Sequence, residues 1–120
     1  MAWGNIKRDR ADIIFSKYVR KRANWTCESC GKFLGEGGGE ASHFWGRRNE
    51  GVRYDRENVS CLCHFCHRHF TENPHEHTEW MKRKLGEKRF KALDVKAHSY
   101  FKKDRKMALL VAKELLKTLE

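Results

Sequence analysis

Between Asn58 and Thr71 the chain reads N-V-S-C-L-C-H-F-C-H-R-H-F-T, gathering three of its five cysteines and three of its seven histidines. Cys63-x-x-Cys66 answers an earlier Cys27-x-x-Cys30, with 32 residues between Cys30 and Cys63. Two such pairs have the spacing of a four-thiolate structural zinc site. Cys61 is the spare thiol and is expected as a buried apolar side chain, with an exchange of ligand roles with Cys63 as the alternative. A zinc held this way joins two distant stretches and encloses His43 in the loop between them. Hydrolysis of a phosphodiester needs an activated water, positive charge near the phosphate and help for the leaving oxygen. His43 has the proton affinity to serve as the base. His67 follows a zinc cysteine directly, so its backbone is fixed, and it suits a divalent ion such as Mg2+ or Mn2+. Arg47, Arg48 and Arg53 are expected to grip phosphates. Taken alone, His43 would pass for an ordinary structural histidine; its company carries the reading.

The balance of residues fits a nucleic-acid partner. With 26 Lys and Arg against 16 Asp and Glu, the formal charge is +10, which favours a polyanion. No apolar run is long enough to span a bilayer, and no apolar signal core opens the chain, so a cytoplasmic protein without membrane attachment is expected. Only 39% of the 120 residues are hydrophobic, so the core is thin and a metal staple has stability to add.

The positioning elements follow from local pattern. Asp9 to Ala23 reads as an amphipathic helix with Ile13, Ile14, Tyr18 and Val19 on its apolar stripe and cations at its C-terminal end. Gly31 closes a tight turn after Cys30. The glycines from Gly35 to Gly39 lack the Lys-Ser/Thr ending of a phosphate loop and read as a flexible connection. Ala41 to Trp45 and Asn58 to Leu62 are expected to pair as antiparallel strands, bringing His43 beside the Asn58 region. Helical pattern follows Cys66. Asn73-Pro74 supplies a cap and a first-turn proline for a helix to Leu85, Gly86 breaks it, and a further helix runs from Glu87 to about Ala97. His75 and His77 are expected at the surface, and Trp25, Trp45 and Trp80 in packing. A last helix from about Phe101 to Leu119 carries Met107, Leu110, Val111, Leu115 and Leu119 as its inner face, with a dimer seam as the minority alternative to a monomer.

The order Cys27-x-x-Cys30, His43, Asn58, Cys63-x-x-Cys66-His67 resembles the zinc-ribbon HNH endonucleases of the endonuclease VII type. Ser42-His43-Phe44, Arg53-Tyr54-Asp55 with Asn58-Val59, Cys63-x-x-Cys66 and the Trp80 to Gly86 helix end are most similar to phage recombination endonucleases of the NinG/Rap type. The resemblance implies an α+β fold: a small zinc-stapled ββα-metal core at about 25–73 with a two-stranded hairpin, and flanking helices from 74 to 120, in one domain. It implies a metal-dependent DNA endonuclease, with His43, Asn58 and His67 catalytic, Asn58 orienting the His43 ring, and duplex or branched DNA as substrate. One departure bears on the metal. Many HNH enzymes place an aspartate just before the catalytic histidine as a metal ligand, and here that place holds Ser42. The second ligand is then Ser42, Glu40, His69, Glu72 or water. A non-catalytic zinc-ribbon nucleic-acid-binding module, with Ser42 marking a dead site, is the rival expectation.

Overall fold

The computed structural model describes residues 8–120, so Trp3 lies outside the described residues. Helix α1 spans Arg10–Arg22, strand β1 Glu40–His43, strand β2 Val59–Leu62, helix α2 His64–Glu72, helix α3 Pro74–Ala97 and helix α4 Arg105–Lys117. The expected α+β class and the two-stranded hairpin are present. The strands pair antiparallel in the register Glu40 with Leu62, Ala41 with Cys61, Ser42 with Ser60 and His43 with Val59.

Asp9 caps α1 by a reciprocal box: its carboxylate accepts from the Asp12 N–H at 3.1 Å, and Asp12 accepts from the Asp9 N–H at 2.9 Å. Phe15, Tyr18 and Val19 form the buried stripe of α1 and pack with Val59, Cys61 and Ala112, joined by Leu115, Leu116 and Leu119. The stripe is therefore rotated from the expected one, and Ile13 is 56% exposed. The inner face of α4 is rotated too: Ala112, Leu115 and Leu116 meet α1, while Met107 and Leu110 are more than half exposed. Helix α4 begins four residues later than expected, at Arg105, because Asp104 caps it by accepting from the Met107 N–H at 3.0 Å.

Alternation along β2 divides the interior. Val59 and Cys61 join the α1–α4 side, and Leu62 joins Cys27, Cys66 and Phe70 beneath the cysteines. In a third cluster Met81, Leu85, Phe90 and Leu93 of α3 pack with Phe44, Trp45 and Val52 of the loop between the strands. Gly86 has φ of 80° and ψ of 162°, so α3 is two helices meeting at the break expected from sequence. Pro74 opens it as expected, whereas the Asn73 side chain makes no cap bond and donates instead to the His69 carbonyl at 2.8 Å. His77, expected at the surface, is 9% exposed and stacks on Phe70 at 4.8 Å.

The glycine-rich loop is a shaped turn rather than a slack connection. Gly35, Gly37 and Gly39 all have positive φ, and the Gly38 N–H donates to the Gly35 carbonyl at 2.8 Å. A Cβ on Gly39 would lie 2.6 Å from the Cys61 sulfur. The loop thus delivers β1 tight against β2.

Candidate metal knuckle and two-histidine cleft

Each C-x-x-C pair folds as a knuckle in which a sulfur accepts a backbone N–H. Cys27 Sγ accepts from Cys30 N at 3.5 Å, and Cys63 Sγ accepts from Cys66 N at 3.3 Å. Gly31, at φ of 81°, completes the first turn. The second knuckle doubles as the start of α2, with Cys63 as its N-cap, so this helix begins before Cys66 rather than after it. The four sulfurs lie within 4.8 Å of one another, and those of Cys30 and Cys63 are 3.9 Å apart. Tetrahedral ligands about 2.3 Å from zinc stand about 3.8 Å apart, so the quartet fits that ion. Burial pushes the Cys27 thiol up, but N–H groups of Cys30, Cys63 and Ser29 outweigh it and bring it down to about 7. Burial and the Cys63 sulfur push Cys66 up to about 12. Crowded sulfurs cannot all ionise by themselves, and a cation removes the conflict. Cys61 stays outside the quartet, fully buried in the hairpin, as expected for an apolar role.

The knuckle places His43 and His67 on one cleft. This cavity of about 610 Å³ runs between α1 and β1 and is lined by Glu40, His43 and His67 with Asp12 and the cations Arg8, Arg20 and Arg47. The His43 ring is anchored by Nε2 at 3.0 Å from the Arg53 carbonyl oxygen. A carbonyl accepts, so Nε2 carries the proton and Nδ1 keeps its lone pair. Burial lowers the His43 pKa to about 4, against the Arg53 carbonyl, so the ring is neutral at neutral pH but a weaker base than the ordinary imidazole expected from residue type. His67 Nδ1 lies 2.7 Å from Glu40 Oε1, and His64 Nδ1 lies 3.2 Å from Glu40 Oε2.

Three side chains take places other than those expected for them, Asn58 and Ser42 from the family resemblance and Arg53 from its charge. Asn58 does not orient the His43 ring directly. Its Oδ1 accepts from the Trp45 N–H at 2.8 Å, and both its N–H groups are used, on the Trp45 carbonyl at 2.9 Å and the Val52 carbonyl at 3.0 Å. It closes the loop that carries the Arg53 carbonyl, and so acts on His43 at one remove. Ser42 is 3% exposed and paired with Ser60, on the strand face opposite His43, and does not line the cleft. Arg53 is 2% exposed and donates through Nε to Asp12 at 3.0 Å and through NH1 to Glu50 at 2.8 Å. It holds the loop to α1 instead of facing solvent. Arg47 lines the cleft, 3.9 Å from Asp12, and Arg48 is exposed. Sequence reasoning missed Asp12, Arg8 and Arg20 as cleft residues; periodicity on α1 put Arg20 in the cationic end of the helix without saying what it faces.

The fold and site define a small α+β protein in which four clustered cysteines that could hold a metal ion lie beside a basic cleft with two histidines. The chain belongs to the family of the bacteriophage lambda NinG protein, whose model matches residues 6–120. Neither a curated protein nor a solved structure matches the chain. Among the described residues no helix is long and apolar enough to cross a membrane.

Proposed function

We propose that this protein is a metal-dependent HNH endonuclease that cuts or nicks DNA phosphodiester bonds. The observation that carries the reading is the pairing of His43 and His67 on one cation-lined cleft, with the His43 proton held on Nε2 by a backbone carbonyl. Neutral His43 has Nδ1 available to take a proton from water. His67, fixed by the knuckle, offers its ring to a divalent ion such as Mg2+ or Mn2+. When bound, that ion would supply charge stabilisation at the phosphate oxygens. Arg8, Arg20 and Arg47 attract the phosphate backbone. Asn58 keeps the supporting loop in register. Family membership and the resemblance to NinG/Rap-type enzymes favour a phage recombination role, with branched intermediates as the implied substrate and duplex nicking as the simpler activity.

A non-catalytic zinc module is the second reading, favoured by the buried Ser42 in the place where many HNH enzymes carry aspartate. A cleavage panel separates the two. Supercoiled, linear and four-way-branched DNA are incubated with zinc-loaded protein and Mg2+, Mn2+ or neither. Ion-dependent cleavage of any substrate supports the enzyme; binding without cleavage across the panel leaves the module.

A further inference from the structure

The outer edge of β2 is closed by charged side chains. The Val59 carbonyl accepts from the Arg22 guanidinium at 2.6 Å, and the Cys61 N–H donates to the Glu28 carboxylate at 2.6 Å. Lys84 of α3 donates to Ser60 Oγ at 2.6 Å and lies 2.8 Å from the other Glu28 oxygen. Arg22, Glu28 and Lys84 line, with Arg56, Glu57 and Arg89, a groove of about 470 Å³. Four cations there meet two carboxylates. Glu28 is taken by Lys84 and Glu57 by Arg89, and among the described residues no carboxylate pairs with Arg22 or Arg56. Arg56 is exposed, and Arg89 engages Glu57 through Nε, so its guanidinium has two further nitrogens to donate. The rim therefore carries excess positive charge in the forked form that suits phosphate oxygens.

This groove shares no lining residue with the cleft between α1 and β1. The cleft follows β1 and the groove follows the far edge of β2, so the hairpin stands between them. Helix α1 serves both: Arg20 enters the cleft and Arg22 the groove, two positions apart and so on nearly opposite sides of the helix. A straight duplex lying in the cleft reaches one edge of the hairpin and leaves the other open. Resting on the reading that the cleft takes DNA, we infer that the groove of Arg22, Arg56, Lys84 and Arg89 holds the phosphate backbone of a second duplex segment. The protein then bridges two arms of a branched DNA, with the reacting strand at β1 and the second arm at β2. Each phosphate the groove neutralises releases counterions and steepens the salt dependence of binding.

The test measures binding of the zinc-loaded full chain to a linear duplex and to a four-way-branched DNA over a range of salt, without Mg2+ or Mn2+ so that nothing is cut. The double variant Arg56→Ala with Arg89→Ala removes the exposed rim and leaves Lys84 and Arg22 in their structural contacts. On four-way DNA it should lower the slope of log K against log salt by about two, and on linear duplex it should leave the slope at the wild-type value. Lys106→Ala with Lys113→Ala on α4, outside both grooves, removes the same charge and should change neither slope by as much. An equal fall on linear and four-way DNA would put the groove on the same duplex as the cleft and overturn the proposal. No fall on either substrate, or an equal fall in the α4 pair, overturns it as well. Arg47→Ala reads the cleft separately: an unchanged slope on both substrates would count against the cleft while the groove pair still reports on its own site.

Discussion

His43 is held by backbone, and the backbone is held by a buried ion pair. Its anchor is the carbonyl of Arg53, whose guanidinium is clamped by Asp12 from α1. Arg53 keeps Asp12 ionised: burial alone would raise this carboxylate, but the Arg53 hydrogen bonds hold it below its usual range. Removing one partner of such a pair strands the other, at about 3–5 kcal/mol. Asp12→Ala should therefore destabilise by about that much in urea unfolding, and reduce DNA nicking beyond the loss of folded protein, because the His43 anchor loosens. Nicking unchanged per folded molecule would disconnect the pair from the site. Arg53 was expected to grip phosphate; charge and spacing cannot separate a solvent-facing guanidinium from one whose partner lies 41 residues away.

At the scale of elements, the two knuckles and the break at Gly86 were legible because each has a local cause, a turn glycine or a residue that allows φ of 80°; the hairpin was legible only in outline, since β1 ends at His43 and leaves out Phe44 and Trp45, whose aromatic content had suggested it. Helix faces were not legible, because several apolar stripes satisfied the period, and the choice between them depends on which neighbour arrives. Ile13 lost to Phe15 on α1, and Met107 lost to Ala112 on α4, because those helices pack on each other. Burial of His77 was hidden for the same reason: its acidic, histidine-rich surroundings in the sequence give no sign of the Phe70 and Phe44 rings that enclose it. Burial lowers His77 from 6.5 to about 4, as it does His43. The unfolded chain takes up these protons near pH 6.5 and the folded one near 4, so their contribution to stability is complete above 6.5 and falls away as pH drops toward 4. His77→Phe, which keeps a ring against Phe70, should flatten that acid limb in zinc-loaded protein; an unchanged slope would assign it to other groups. Gly39→Ala tests the hairpin entry. At φ of 95° and 2.6 Å from the Cys61 sulfur, it should cost about 1–3 kcal/mol by thermal unfolding, and Cys61→Ala should recover part of that loss. Simple additivity of the two changes would contradict the contact.

For the molecule as a whole, the cysteine quartet, which could hold a zinc ion, and the net charge of +10 act on different properties. Two of the three small apolar clusters draw on the hairpin, and Cys27 and Cys66 of the quartet belong to the second of them. One equivalent of zinc is expected by metal analysis, and Cys30→Ser or Cys66→Ser should leave a largely unfolded chain, since structural zinc supplies about 10–16 kcal/mol of folding free energy in small domains. A folded, metal-free Cys66→Ser would refute the staple. On the proposed reading the charge governs DNA affinity: binding should weaken steeply with salt, and Arg47→Ala should lower the slope of log K against log salt by about one. An unaltered slope would take Arg47 out of the interface. The paired C-x-x-C motif and basic composition made this scale the most legible, since both follow from residue type and spacing without knowledge of packing.

On the proposed reading, the cleft between α1 and β1 is where a phosphodiester is cut, with His43 as the base. Nicking of supercoiled plasmid by zinc-loaded wild type and His43→Ala, each with Mg2+ or Mn2+ and with DNA binding measured in parallel, tests it most directly. The predicted result is ion-dependent nicking by the wild type, and its loss by about two orders of magnitude or more in the variant while binding persists. Nicking at the wild-type rate by His43→Ala would contradict it.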